Sequence, residues 1–325
     1  MEKKILGYLL IWTIHLVIAP DGLVAQGCSD AGFCTMGAMK PDQTFNKKVD
    51  VKLRSIELSY YYGETTLSPI VQVANLDASF SITKNLGVQV KVPYQWVNGN
   101  FDNTSGMGDI SLSATQRVKS TNKYDINATL GMKIPSNDAN KKDSGSKTPE
   151  AEGLSLPMYY QTSLGSFDLV AGVSMISSKW MFATGIQAAL TANNNQFWRG
   201  EWLPPVYPDE DYALLYPNAT KLKRGTDVMI RIERNFRFSN YSFNVGLLPI
   251  YRITKDQIED RDTGEYVKLE GTTGLALTAL TSFTYHFDVT HSLKVSYGKK
   301  ITDREVNPDG LTRKQVFIVA YGFRF

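Results

Sequence analysis

Asp109-Ile110-Ser111-Leu112-Ser113-Ala114-Thr115-Gln116-Arg117-Val118 sets Ile110, Leu112, Ala114 and Val118 on one side of an extended chain. Asp109, Ser111, Ser113, Thr115 and Arg117 fall on the other. Alternation at period two is the mark of a β-strand, because successive side chains leave a strand on opposite faces. One face here suits lipid and the other water. Ten residues also cross a bilayer at a tilt, whereas strands of a soluble sandwich usually stop at about five or six.

The same pattern runs outward in both directions. Tyr124, Ile126, Ala128, Leu130, Met132 and Ile134 oppose Asp125, Asn127, Thr129 and Lys133, and Phe317, Val319, Tyr321, Phe323 and Phe325 form one face of the last segment. Strands are expected near 51–62, 70–82, 86–97, 107–118, 123–134, 166–176, 179–191, 226–238, 241–254, 272–287, 291–302 and 313–325. The phase breaks once, between Val51, Leu53 and Ile56, Leu58, which predicts a bulge. A barrel whose ends lie on one side of the membrane needs an even number of strands, with short turns on that side and long loops on the other. Reading Leu154–Leu164 as a strand gives an odd count and places the long stretch 193–223 on the short-turn side, so Leu154–Leu164 is assigned to an outer loop. The tight turns Thr83-Lys84-Asn85, Ser120-Thr121-Asn122, Ser177-Ser178, Ser239-Asn240 and Asp288-Val289-Thr290 then share one end. The expected fold is all-β, a transmembrane antiparallel β-barrel of about 12 strands over residues 49–325.

Aromatic residues support that reading. Tyr60, Tyr62, Tyr94, Trp96, Trp180, Tyr241, Phe287, Phe323 and Phe325 sit at predicted strand ends, where girdle residues meet lipid headgroups. Phe325 ends the chain on an alternating strand and is the expected assembly signal for the barrel-assembly machinery.

The N-terminus reads as an export signal. Lys3 and Lys4 precede the apolar run Ile5–Ala19, and Leu23-Val24-Ala25-Gln26 supplies a cleavage site, so residues 1–26 are expected to be a removed signal peptide. The alternative is an uncleaved anchor, for which the run is short. Cys28 and Cys34 then lie in an oxidising compartment and are expected to pair, with lipidation at Cys28 the other reading. Residues 27–48 are too irregular for a strand and are assigned either to a plug of the lumen or to the periplasm. The net charge of +3 and mean hydropathy of −0.23 argue against a nucleic-acid partner and against a bundle of membrane helices.

The predicted inward face carries Glu57, Asp77, Lys91, Asp109, Arg117, Asp125, Lys133, Asp168, Arg231, Glu233, Arg237, Lys294, Lys300 and Arg324. Both signs are present, which fits either a bracing lattice or a lining that selects solutes. Arg231, Glu233 and Arg237, two and four apart on one face, are the leading lumen candidates, with Asp109 and Lys133. Arg234 and Lys299 fall on the lipid face and are expected to snorkel. The loop 193–223 holds Trp198, Trp202, Tyr207 and Tyr212 among other apolar residues, so it is expected to fold inward or to contact an apolar ligand. The loop Ser136–Glu150 is polar and is expected to be mobile.

Gly106-Met107-Gly108-Asp109-Ile110 and Gly131-Met132-Lys133-Ile134-Pro135 resemble the paired motifs of the outer-membrane family of the meta-pathway of phenol degradation, which is similar to the long-chain fatty-acid transporters. Gln161–Asp168 (QTSLGSFD) and Arg224-Gly225-Thr226-Asp227 resemble later motifs of that family. The resemblance covers roughly 105–325; Ser136 departs from the Thr-Gly that commonly follows the Pro. It implies an outer-membrane channel or transporter for small hydrophobic or aromatic compounds, with membrane lipid and a small-molecule solute as partners.

A surface-binding or adhesion barrel acting through its long loops is the main alternative. An enzyme is disfavoured: of the three histidines, His15 lies in the signal segment, and His286 and His291 flank a predicted inner turn. Neither a metal-ligand cluster nor a phosphate loop is legible, and no cofactor is expected.

Overall fold

The structure, a computed structural model, describes Met36 and residues 53–325. The expected signal peptide, the expected pair Cys28 and Cys34, and nearly all of the segment 27–48 lie outside the described residues. Among the described residues fifteen strands run in chain order: β1 (Leu53–Thr65), β2 (Ile70–Ser81), β3 (Leu86–Asn98), β4 (Asn103–Met107), β5 (Ile110–Ser120), β6 (Tyr124–Ile134), β7 (Asp168–Ser177), β8 (Trp180–Ala189), β9 (Asp227–Arg237), β10 (Tyr241–Arg252), β11 (Gln257–Glu259), β12 (Tyr266–Lys268), β13 (Gly274–His286), β14 (His291–Thr302) and β15 (Arg313–Arg324).

Sequence neighbours pair antiparallel around the ring, β1 pairs with β15, and the ring is closed through β2 and β3. β4 and β5 share one stave, since β4 pairs with the outer half of β3 and β5 with its inner half. β11 and β12 form a separate loop hairpin. The protein is therefore a closed 12-stranded antiparallel β-barrel. No described helix is long and apolar enough to cross a membrane.

The expected strands and loops of the barrel meet the structure closely, with three differences. The stave expected over 107–118 is interrupted at Gly108-Asp109, where a Cβ on Gly108 would lie 2.9 Å from Pro93 Cγ and 3.1 Å from Thr162 O. Pro93 brings no N–H to the ladder, and pairing with β3 passes from β4 to β5 across it. The bulge expected near the start of β1 falls at Arg54, because Leu53 faces Phe80 while Ser55 faces Ser79. The loop Ser136–Glu150 is a tied element of the cap, as shown below.

Outside, the barrel is apolar: Leu58, Leu76, Leu130, Val173, Ile230, Leu247, Val295 and Val319 are all exposed. Charged residues on that face would cost about 2–4 kcal/mol at mid-membrane. Arg234 does face outward, near the turn end, with its guanidinium 4.9 Å from the Trp180 ring centre and 5.5 Å from that of Phe236. Aromatic faces shelter its charge, a cation–π contact of about 0.5–2 kcal/mol.

Candidate functional site: the lumen and its cap

The long connections 135–167, 190–226, 253–273 and 303–312 all leave one end of the barrel. A long loop carrying many aromatic residues can hide them only against other loops or the inner wall. Both happen here. Phe101 is at the centre: its ring lies 4.3 Å from Trp202, 4.8 Å from Tyr207, 4.9 Å from Tyr216 and 5.1 Å from Tyr212. Phe101, Phe197, Tyr160, Tyr216 and Trp202 are fully buried, and the cluster continues onto the inward faces of β1–β3 through Tyr61, Val71, Val73 and Val97.

The polar ends of these rings are satisfied. Trp202 Nε1 donates to Ser155 O at 3.1 Å, Phe101 N donates to Tyr160 Oη at 3.1 Å, and the hydroxyls of Tyr212 and Tyr216 lie 2.6 Å apart. Burial, reinforced by neighbouring Tyr212, pushes the Tyr160 and Tyr216 hydroxyls well above their ordinary range, so both stay protonated. Of the four aromatic ligand candidates in this loop, Trp202 is thus wholly enclosed in the cap. Trp198, Tyr207 and Tyr212 pack against it while keeping part of their surface accessible.

The loop Ser136–Glu150 is held by hydrogen bonds to other loops. Asp102 accepts from Ser144 N at 2.8 Å and Ser146 Oγ at 3.0 Å, and Lys147 Nζ donates to Gly99 O at 2.6 Å. Asn195 Nδ2 reaches Ala139 O at 2.8 Å. Composition alone suggests mobility; the partners come from distant loops and leave no local signature.

Beneath the aromatic layer runs a buried array of ions. Asp109 accepts from Ser163 Oγ at 2.5 Å and Leu164 N at 3.0 Å, and Lys133 Nζ stands 3.6 Å from it. Lys133 opposes Asp168 across β6 and β7. Asp168 pairs with Arg224 and accepts from Gln187 Nε2 at 2.5 Å. Arg252, at the outer end of β10, donates to Asp227 at 2.8 Å through Nε and Nη2. Its Nη1 reaches Asp256 at 2.8 Å, and Nη2 also lies 2.9 Å from Asp309. Arg304 approaches Asp309 at 3.5 Å and Asp256 at 3.8 Å. Buried charges persist only when paired and hydrogen-bonded, and here each carboxylate meets a cation.

All four motif stretches singled out in the sequence supply members: Asp109, Lys133, Asp168 with Ser163 and Ser166, and Arg224 with Asp227. The glycines make room. Gly165 has φ +66°, and a Cβ there would sit 2.5 Å from Ala139 Cβ. Arg252, Asp256, Arg304 and Asp309 carry no sequence motif, although Asp227 and Arg252 face each other as soon as the β9–β10 register is known.

Further in, the lumen narrows to a cavity of about 90 Å³ lined by Glu57, Asp77, Lys91, Arg231, Glu233 and Lys294. Arg231 Nε donates to Glu233 Oε1 at 2.7 Å, and Gln89 Nε2 donates to Asp77 at 2.6 Å. Arg231 and Glu233 thus brace each other. Arg237 is separate from them and lines a vestibule of about 1590 Å³ at the turn end, with Arg54, Arg117, Asp125 and Arg324. Of the five lumen candidates, Asp109 and Lys133 join the outer array, Arg231 and Glu233 the constriction, and Arg237 the vestibule. Phe325 is exposed at that same end, and its N–H donates to Arg54 O at 2.9 Å.

Among solved structures, an outer-membrane channel of Pseudomonas putida F1 is similar over 87% of this chain and 99% of that one, with 13% identity and a TM-score of 0.59. The NanC porin matches over 84% and 99%, with 8% identity and a TM-score of 0.46. The CymD monoaromatic hydrocarbon channel matches over 94% and 95%, with 11% identity and a TM-score of 0.39. At these identities the likeness is one of fold. No family model matches the chain, and no curated protein sequence matches it. The resemblance to the phenol-degradation family therefore rests on the motifs quoted above.

Proposed function

We propose that this protein is an outer-membrane channel, exported by a cleaved signal peptide, that admits small hydrophobic or aromatic solutes beneath its loop cap. One observation carries the reading. A closed barrel with an apolar outer face encloses a polar, charged lumen that widens to a vestibule of about 1590 Å³ at the turn end. A barrel built only as a scaffold needs no such space.

The solute class is supported by the sequence resemblance and by the partly accessible rings of Trp198, Tyr207 and Tyr212 over the mouth. Stacking and edge contacts suit flat apolar molecules, and the tyrosine hydroxyls give such a ring a polar handle. A surface-binding role fits less well, because the loops turn their largest apolar side chains onto one another and onto the inner wall.

Conductance in planar bilayers, together with uptake of benzoate- or toluene-sized solutes into liposomes, tests the proposal. Purified barrel is expected to give discrete conductance steps and faster uptake than protein-free liposomes. Absence of both, also after substitution of Arg252 to release the cap, would refute the channel.

A further inference from the structure

The wall of the lumen is not polar throughout. On β7–β10 the inward residues Val170, Ile176, Met181, Ala183, Met229 and Leu248 form an apolar strip, with Ile250 and Leu280 beside it. Facing an aqueous bore, such side chains would be wet. Here none of those six is more than 6% exposed. The described residue that joins them from outside the barrel wall is Met36, itself 3% exposed. Its Sδ would lie 3.4 Å from a Cβ placed on Gly131, an inward position of β6. Met36 stands 17 positions before Leu53, the residue at which β1 begins at the turn end.

We infer that this strip is an apolar binding site inside the lumen and that Met36 is its resident occupant, a thioether supplied by the protein's own N-terminal segment. Methionine suits the task, because its unbranched, polarisable side chain fills irregular apolar gaps and is readily exchanged for another apolar group. Sδ rests at van der Waals distance from the Gly131 position on the inner wall. An apolar solute crossing the barrel would take over this strip by displacing Met36, so the residue acts as a competitor for the pathway. This rests on the channel reading above, which it deepens by giving the solute a place and the resting state an occupant.

The test uses the full mature chain with Cys28→Ser and Cys34→Ser, carrying Met36→Cys alone or with Val170→Cys, in liposomes. The thiol introduced at position 36 is expected to react with a bulky maleimide at least tenfold more slowly than that of a Val289→Cys control, whose turn position is 90% exposed. A short bis-methanethiosulfonate should bridge positions 36 and 170 in the double variant, because Val170 faces Gly131 across β6 and β7. Met36→Asp, which cannot stay on an apolar strip, should raise conductance above that of the parent chain. Labelling at position 36 at the control rate, without a bridge to position 170, would overturn the inference, whether or not the barrel conducts. Protection and bridging in a barrel that conducts in neither form would leave the Met36 seat standing and refute the channel instead.

Discussion

Arg252 of β10 and Asp309 of the last outer loop meet at 2.9 Å, joining the barrel wall to its cap through a guanidinium that is 1% exposed. The same group holds Asp227 at the start of β9 and Asp256 in the adjoining loop. Removing it leaves three carboxylates buried without their shared cation. Arg252→Met should lower stability by about 3–5 kcal/mol, and Arg252→Lys should recover only part of that, because an ammonium cannot reach three acids through a planar fork. The shift of the folded band on unheated gels to a lower unfolding temperature measures both.

The same pair predicts an acid limit. Burial alone would raise the Asp309 carboxyl, but Arg252, Arg304 and Arg224, with the N–H of Leu311, hold it well below the usual carboxylate range. A depressed folded value means that its contribution is complete above the unfolded value of ~3.9 and is lost as pH falls through the folded one. Asp256 runs the other way: burial and the charge of Asp309 raise it despite Arg252 and Arg304, so its protonation comes first. The cap should therefore stay closed through mild acid and open below about pH 4. Asp309→Asn should be less stable at neutral pH and should lose that acid transition, read by protease cleavage of the loops against pH.

The barrel was legible because lipid on one side and water on the other impose a period of two on every stave, and parity then settles Leu154–Leu164 as a loop. The cap was legible only in part. Trp202 and Tyr212 announced a hidden apolar surface, but nothing in their spacing revealed Phe101 as the shared partner. Asp309 lies in Asn307-Pro308-Asp309-Gly310, which reads as an ordinary turn, with Gly310 at φ +65°. Its partner Arg252 is 57 positions away at the end of β10, so local sequence carries no trace of the pair. Asp102 likewise orders the loop Ser136–Glu150 from more than 40 positions away.

Trp202 is expected to fasten the cap without touching the barrel's own stability. Trp202→Ala removes a fully buried ring and its bond to Ser155 O, a local loss of about 3–5 kcal/mol. Trypsin should then cut much faster after the exposed Arg199, while the barrel keeps its resistance to unfolding in unheated detergent. Equal loss of both would mean that cap and barrel fold as one unit.

Two glycines separate close approach from backbone strain. A Cβ on Gly225 would fall 2.0 Å from Thr254 O, a backbone atom held by the β9–β10 register, and Gly225 N donates to Asp256 at 2.6 Å. Gly225→Ala must therefore part the two chain segments that carry Asp227 and Asp256 to Arg252. Gly153 has φ +83° but nothing within 4 Å of its Cβ position, so Gly153→Ala meets only the left-handed backbone penalty of about 1–2 kcal/mol. Thermal unfolding should show a small shift for Gly153→Ala and a loss near that of Arg252→Met for Gly225→Ala. Combining Gly225→Ala with Arg252→Met should add little to either alone, because both disrupt the same array.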